Sequence, residues 1–143
     1  TKIGDETHGM TANAFSTLSL NPPLVLVCVD HTARTHEFIP QAQSFAVNVL
    51  SVDQKDLSDF FAKRLASDPD HELAGISYRT GQTDSPLIDG AFAYFDCNLH
   101  ATYPGGDHTI YIGEVVDVSE SDEREPLLFC RGKYCKVDLG PVT

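Results

Sequence analysis

The 143 residues match one domain spanning 1–143, since single cores commonly run to about 100–200 residues, and two independent domains are not expected. With 41% hydrophobic residues the chain buries a sizeable core and lies outside the composition of disordered segments. Ten Lys and Arg against 21 Asp and Glu leave a net charge of -11, which repels nucleic-acid phosphates and anionic headgroups and excludes both as expected partners.

In chain order, Gly9 to Pro23 interleaves small and hydroxyl residues with Phe15, Leu18 and Leu20 and reads as a strand. Its polar side chains and closely approachable backbone suit hydrogen bonding to a planar heterocycle. Pro22-Pro23 then opens the continuous apolar run Leu24 to Val29, which predicts a strand buried on both faces. After the polar loop Asp30 to Thr35, Phe38, Ile39 and Ala42 follow helical spacing, but Pro40 makes that helix short or kinked. Phe45 to Leu50 predicts a second strand with Phe45, Val47 and Val49 on one face and Asn48 on the other.

Asp53 is the expected N-cap of an amphipathic helix with the stripe Leu57, Phe60, Phe61 and Leu65, broken at Ser67-Asp68-Pro69-Asp70. Ser85 to Gly90 punctuates the approach to two strands, Ala91 to Tyr103 and Thr109 to Ser119. The turn formers Pro104 to His108 join these into a hairpin. Acidic residues 120–125 read as a solvated loop, and Leu127 to Cys130 as a last short strand ending at Gly132-Lys133-Tyr134. Many strands and one good helix predict a mainly β domain, for which closure into a barrel hides the strand edges.

The four cysteines form no Cys-x-x-Cys pair, and Cys28 and Cys97 read as small core hydrophobes. The six histidines show no zinc-ligand spacing, so no metal site is expected. No apolar run approaches the roughly eighteen residues of a membrane span and no secretory signal is visible, which predicts a soluble, cytoplasmic protein. Nucleophile-elbow, Walker and dinucleotide-fold glycine motifs are absent.

An ordered set of segments remains. Gly9 to Pro23 is followed by Phe45 to Leu50, Gln54, Leu57-Ser58, Phe61-Ala62, Ser85 to Ile88, Gly106-Asp107-His108, Ile112 to Val115 and Pro126-Leu127-Leu128. In that order they resemble the flavin reductases with the FMN-binding split-barrel fold, most of all the short reductase components of two-component flavin-dependent monooxygenases. The resemblance runs from about Thr1 to Tyr134 and implies a split β-barrel with one or two flanking helices. Such reductases usually begin with a helix and a first barrel strand leading into the position of Thr1. Position 1 is Thr and the only methionine is Met10, so the natural amino terminus is expected to lie upstream.

The resemblance further implies that Thr11, Ala12, Asn13, Ala14, Phe15 and Thr17 line the isoalloxazine and ribityl chain of FMN or FAD. It implies a phosphate-binding turn at Thr32, Ala33, Arg34 and Thr35, where hydroxyls, backbone N–H groups and one guanidinium suit a phosphate. His108 matches the family histidine on the nicotinamide side, with Phe61 and Tyr134 edging the same pocket. The implied activity is hydride transfer from NADH or NADPH to flavin by a homodimer, which releases reduced flavin to a separate monooxygenase. A flavin-binding electron-transfer or storage module without that activity is the alternative on the same fold.

Overall fold

The computed structural model describes residues 1–62, 73, 75–138 and 140. Two short strands, β1 (Lys2–Ile3) and β2 (Glu6–Thr7), pair at the start. An irregular strap leads to β3 (Phe15–Leu20) and β4 (Pro23–Asp30). Helix α1 (Thr35–Ala42) precedes β5 (Ser44–Val49), and a 3-10 turn at Val52–Gln54 precedes α2 (Lys55–Ala62). The paired β6 (Tyr78–Thr80) and β7 (Pro86–Ile88) come next. The long hairpin β8 (Ala93–Gly105) and β9 (His108–Glu120) follows, then the short hairpin β10 (Leu128–Cys130) and β11 (Lys133–Cys135).

One five-stranded antiparallel sheet in the order β3-β4-β9-β8-β5 organises the chain, so the fold is mainly β with two helices. Alternation along β4 and β9 sends Val25, Val27, Val29 and Tyr111 to one face, where they meet Ile39 of α1, Phe45 of β5 and Cys97 of β8. Gly113 lets β9 pass these neighbours: a Cβ there would lie 2.6 Å from the Phe45 ring and 2.7 Å from Cys97 Cβ.

Helix α1 tolerates Pro40 because the carbonyl that the missing N–H leaves free, that of His36, accepts the Tyr111 hydroxyl at 3.0 Å. The helix is short, as its proline predicts, and ends on Gln43 in the left-handed region with its N–H donating to the Ile39 carbonyl. The Asn48 side chain, on the opposite face from Phe45, accepts from Ile88 N–H at 2.8 Å and donates to the Pro86 carbonyl at 3.1 Å, which pins β7 against β5. In the same region Asp96 is fully buried and accepts from Thr83 N–H, fastening the loop before β7 to β8.

Several expectations need correction. Only one face of β4 is fully buried; Leu24, Leu26 and Cys28 on the other are half-buried because no element among the described residues covers them, so Cys28 is not a core residue while Cys97 is. The predicted strand from Gly9 narrows to Phe15–Leu20, and residues 9–14 form the irregular strap. Helix α2 is entered from Ser51, whose N–H donates to Gln54 Oε1 at 3.1 Å, rather than capped by Asp53. Its buried side is Ser58 and Phe61, with Phe60 46% exposed, because the helix packs on the strap through a narrow face; Leu65 and the breaker 67–70 lie outside the described residues. Ser85 to Gly90 contains the strand β7 as well as punctuation, and the β8–β9 strands run on to a tight turn at Gly106 and Asp107.

Candidate functional site

A cavity of about 640 Å³, well within the usual size range of small-molecule sites, opens beside the core face of the sheet. Its inner wall is apolar, formed by Val27, Val29, Ile39, Phe45 and Val47. The strap from His8 to Asn13 forms one flank, α2 contributes Ser58, Phe61 and Ala62, and the β10–β11 hairpin contributes Phe129 and Tyr134.

The strap is held in place from several sides. Thr11 Oγ1 donates to the Ser58 carbonyl of α2 at 2.7 Å, and the buried Thr7 hydroxyl accepts the Leu73 N–H at 3.1 Å. His8 Nε2 lies 2.8 Å from Thr35 Oγ1, and its ring packs on Phe38 at 4.9 Å. At Gly9 a Cβ would come within 2.9 Å of the Phe61 ring, so glycine lets the backbone lie against that aromatic. Tyr134 is fixed as firmly: its hydroxyl is 2.9 Å from Ser58 Oγ and 3.1 Å from Asp59 Oδ1, its ring meets Phe129 edge-on at 5.2 Å, and the Lys55 ammonium sits 5.0 Å from the ring centre.

Of the residues singled out in the sequence, Thr11, Ala12, Asn13, Phe15, Thr35, Phe61 and Tyr134 line this cavity. Ala14 and Thr17 do not; the Ala14 carbonyl accepts the Cys28 N–H and Thr17 is an exposed residue of β3. Thr32, Ala33 and Arg34 lie outside the cavity lining, in a turn where the Thr32 N–H and hydroxyl, the Ala33 N–H and one guanidinium nitrogen of Arg34 already have partners. Asp30 Oδ1 accepts from both the Thr32 N–H and hydroxyl at 2.7 Å, which holds the Asp30 carboxyl below its ordinary pKa. Arg34 is 2.8 Å from Glu6 Oε1 and stacks 5.0 Å above the Phe38 ring.

His108 stands at the tip of the β8–β9 hairpin, outside the cavity, with Nδ1 2.7 Å from Asp107 Oδ1; that contact depresses the Asp107 pKa. The tip and the 32–35 turn are neighbours, joined by the His31 N–H donating to the Asp107 carbonyl at 3.0 Å. Beneath them His31 Nε2 and His36 Nε2 converge on the Thr109 hydroxyl at 3.1 and 3.0 Å. Sequence reasoning did not single out His8, Ser58 and Phe129 as site residues. Ser58 was accessible in principle, since it lies one helical turn before Phe61, whereas nothing in the spacing of six scattered histidines distinguishes His8.

The donor set fits a flavin. The strap lines the cavity with small, hydroxyl and amide side chains and backbone polar groups suited to the hydrogen-bonding edge of a planar ring, while Phe61, Tyr134 and the apolar wall offer surfaces suited to its faces. Among the described residues no group of His, Cys, Asp and Glu is arranged to hold a metal, and no helix is long and apolar enough to cross a membrane.

Comparison with known proteins agrees with this fit. The model of the flavin reductase like domain matches residues 1–138. The chain is 39% identical over 132 residues to an NADH-dependent FAD reductase of Streptomyces globisporus, covering 92% of this chain and 72% of that protein. It is also 39% identical over 137 residues to the reductase subunit HsaB of a flavin-dependent monooxygenase of Mycobacterium tuberculosis, covering 94% and 71%. The solved structure of the flavin reductase PheA2 superposes with a TM-score of 0.85 at 41% identity, covering 96% of this chain and 86% of that one. The chain belongs to the flavin reductase-like domain family.

Proposed function

We propose that this chain is an NAD(P)H:flavin oxidoreductase, a single domain over residues 1–143 that passes hydride from NADH or NADPH to FMN or FAD and supplies the reduced flavin to a separate monooxygenase. The observation that carries the reading is the convergence of the strap residues Thr11, Ala12, Asn13 and Phe15 with Phe61 and Tyr134 on one cavity. Bound there, flavin supplies the N5 acceptor for the hydride that nicotinamide C4 releases. The strap hydrogen-bonds the ring edge and orients it. Phe61 and the doubly anchored Tyr134 act as fixed walls, and the apolar inner wall excludes water from the transfer path. No general acid or base is required of the chain for such a transfer, consistent with a lining rich in hydroxyl, amide and aromatic groups.

The working unit is a cytoplasmic homodimer. Support comes from the second face of the sheet, where Leu24, Leu26, Cys28, Ile110 and Ile112 are only half-buried and Tyr103 is 53% exposed. In such a dimer the hairpin tip of a second copy brings His108 to the nicotinamide side of the cavity. The phosphate of the flavin is taken by the Thr32 to Thr35 turn, where Arg34 exchanges Glu6 for the ligand. Anaerobic titration with NADH and NADPH, with FMN and FAD in parallel, tests the reading: bleaching of the flavin absorbance is expected, and a chain that binds flavin yet never bleaches is instead a carrier or storage module.

A further inference from the structure

The net charge of -11 poses a problem for a protein whose ligands are themselves anionic. Among the described residues most cations near the cavity are committed: Arg34 to Glu6 and Lys55 to Asp59, while Lys2, at the chain start, pairs with Asp84. The 32–35 turn is moreover flanked by the carboxylates of Asp30, Glu6 and Asp107. One stretch differs. Residues 126–136 contain Arg131, Lys133 and Lys136 and no Asp or Glu, and these three cations are exposed and make no ion pair among the described residues.

The placement of those cations follows from the β10–β11 hairpin. Arg131 and Gly132 both have positive φ, +52° and +75°, so the strands are joined by a tight two-residue turn that matches their twist. Phe129 and Tyr134 are cross-strand partners and share the face that lines the cavity. Lys133, paired with Cys130, alternates to the other face; Arg131 occupies the turn and Lys136 follows the strand. Arg131, Lys133 and Lys136 each lie within two positions of Phe129 or Tyr134, the two hairpin aromatics that line the cavity, at ~3.3 Å of strand per residue. The hairpin therefore carries an aromatic wall on one side and a cationic rim about it.

We infer that this rim, Arg131, Lys133 and Lys136, is the subsite for the diphosphate of a dinucleotide whose ring end enters the cavity. This rests on the reading of the cavity as the reductase site and goes beyond it by assigning the anionic half of the substrate to a segment distinct from the 32–35 turn. Two dinucleotides share this chemistry, the nicotinamide donor and FAD, and the test separates them.

The test combines Arg131→Gln, Lys133→Gln and Lys136→Gln in one variant, exposed changes that leave thermal unfolding unaltered. Steady-state reduction of FMN is measured with NADH and with reduced nicotinamide mononucleotide, which lacks the diphosphate, and the binding of FAD and FMN is measured by fluorescence without any donor. For three exposed charge contacts, a loss of about tenfold is expected in kcat/KM for NADH, with kcat largely kept and the mononucleotide unaffected. That loss shrinks as salt is raised. A similar loss confined to FAD over FMN also upholds the subsite and names the flavin as its occupant. Unchanged NADH kinetics together with unchanged FAD affinity, or equal losses for mononucleotides and dinucleotides, overturns it. Failure of the reductase reading is distinct: the unsubstituted protein then oxidises neither donor, while the FAD arm still reports on the rim.

Discussion

Replacing Gly113 with alanine tests how closely the sheet is packed behind the cavity. The new methyl carbon would lie 2.6 Å from Phe45 Cζ, 3.1 Å from Phe45 Cε1 and 2.7 Å from Cys97 Cβ, against the ~3.5–4.0 Å of ordinary carbon contacts. The Cys97 Cβ belongs to the adjoining strand β8 and cannot retreat without bending it, so the Phe45 ring must yield, and its way out leads into the cavity it lines. Overpacking of this kind costs ~1–3 kcal/mol. Alanine recovers about 0.5–1 kcal/mol over glycine in an extended segment, so mid-range values leave a net loss of about 1.25 kcal/mol. In urea titration, with a slope near 1–3 kcal/mol/M, the midpoint falls by roughly 0.5–1 M. Adding Phe45→Leu to Gly113→Ala should recover part of that loss, since residues in contact couple by about 0.5–3 kcal/mol. A midpoint that stays level or rises in Gly113→Ala, or a double variant whose losses simply add, refutes the packing argument.

Four further outcomes are expected. Arg34→Ala weakens FMN binding and leaves riboflavin, which lacks the phosphate, unchanged; equal losses in parallel fluorescence titrations remove the 32–35 turn from the phosphate site. His108→Ala slows flavin reduction at saturating NADH in stopped flow with flavin affinity retained, and an unchanged rate takes it off the nicotinamide side. Cys130 and Cys135, both exposed, react with a thiol reagent in the native protein, whereas Cys97, fully buried with its thiol pushed up to about 12, reacts only on unfolding; rapid native labelling of Cys97, read by peptide mass, contradicts its burial. The Asp30 carboxyl is held below its ordinary 3.8 by the Thr32 hydrogen bonds, so it stabilises the fold above that pH and the contribution is lost as pH falls through the folded value. The stability gap between the unsubstituted protein and Asp30→Asn therefore closes in acid, and a gap that holds steady from neutral pH down to strong acid argues against those bonds.

What could be read from the sequence divides along a physical line. Strands and their alternation come from local patterning, and β4, β5, β8 and β9 lie close to where the apolar runs place them. Burial on a given face depends on what else packs there. The apolar run of β4 is equally compatible with one or two covered faces, and only the folded chain shows that Leu24, Leu26 and Cys28 stay half-buried, without cover among the described residues. The same limit explains α2: its apolar stripe predicts Leu57, Phe60 and Phe61 as the inward face, and the structure buries Ser58 with Phe61 instead. The strap selects that pair because Thr11 bonds the Ser58 carbonyl and Gly9 makes room for Phe61.

The site shows a further distinction, between which residues approach a ligand and which charges remain free to meet it. Ordered motifs brought Thr11, Ala12, Asn13, Phe15, Phe61 and Tyr134 to attention across more than a hundred residues of chain, and these do share one cavity. Arg34, a cation set in a hydroxyl-rich turn, came in through the same resemblance, as part of the implied phosphate-binding turn. Yet its charge is met by Glu6, a residue 28 positions away whose approach no local pattern announces. The cations of the β10–β11 hairpin drew no notice because isolated Arg and Lys in a short segment are ordinary surface residues. Their significance arises only when the hairpin's other face is seen to wall the cavity and no described carboxylate is seen to form an ion pair with them. In an acidic protein that handles anionic ligands, the informative quantity is therefore the number of cations left without a carboxylate beside the site, and that is a property of the fold, not of the composition.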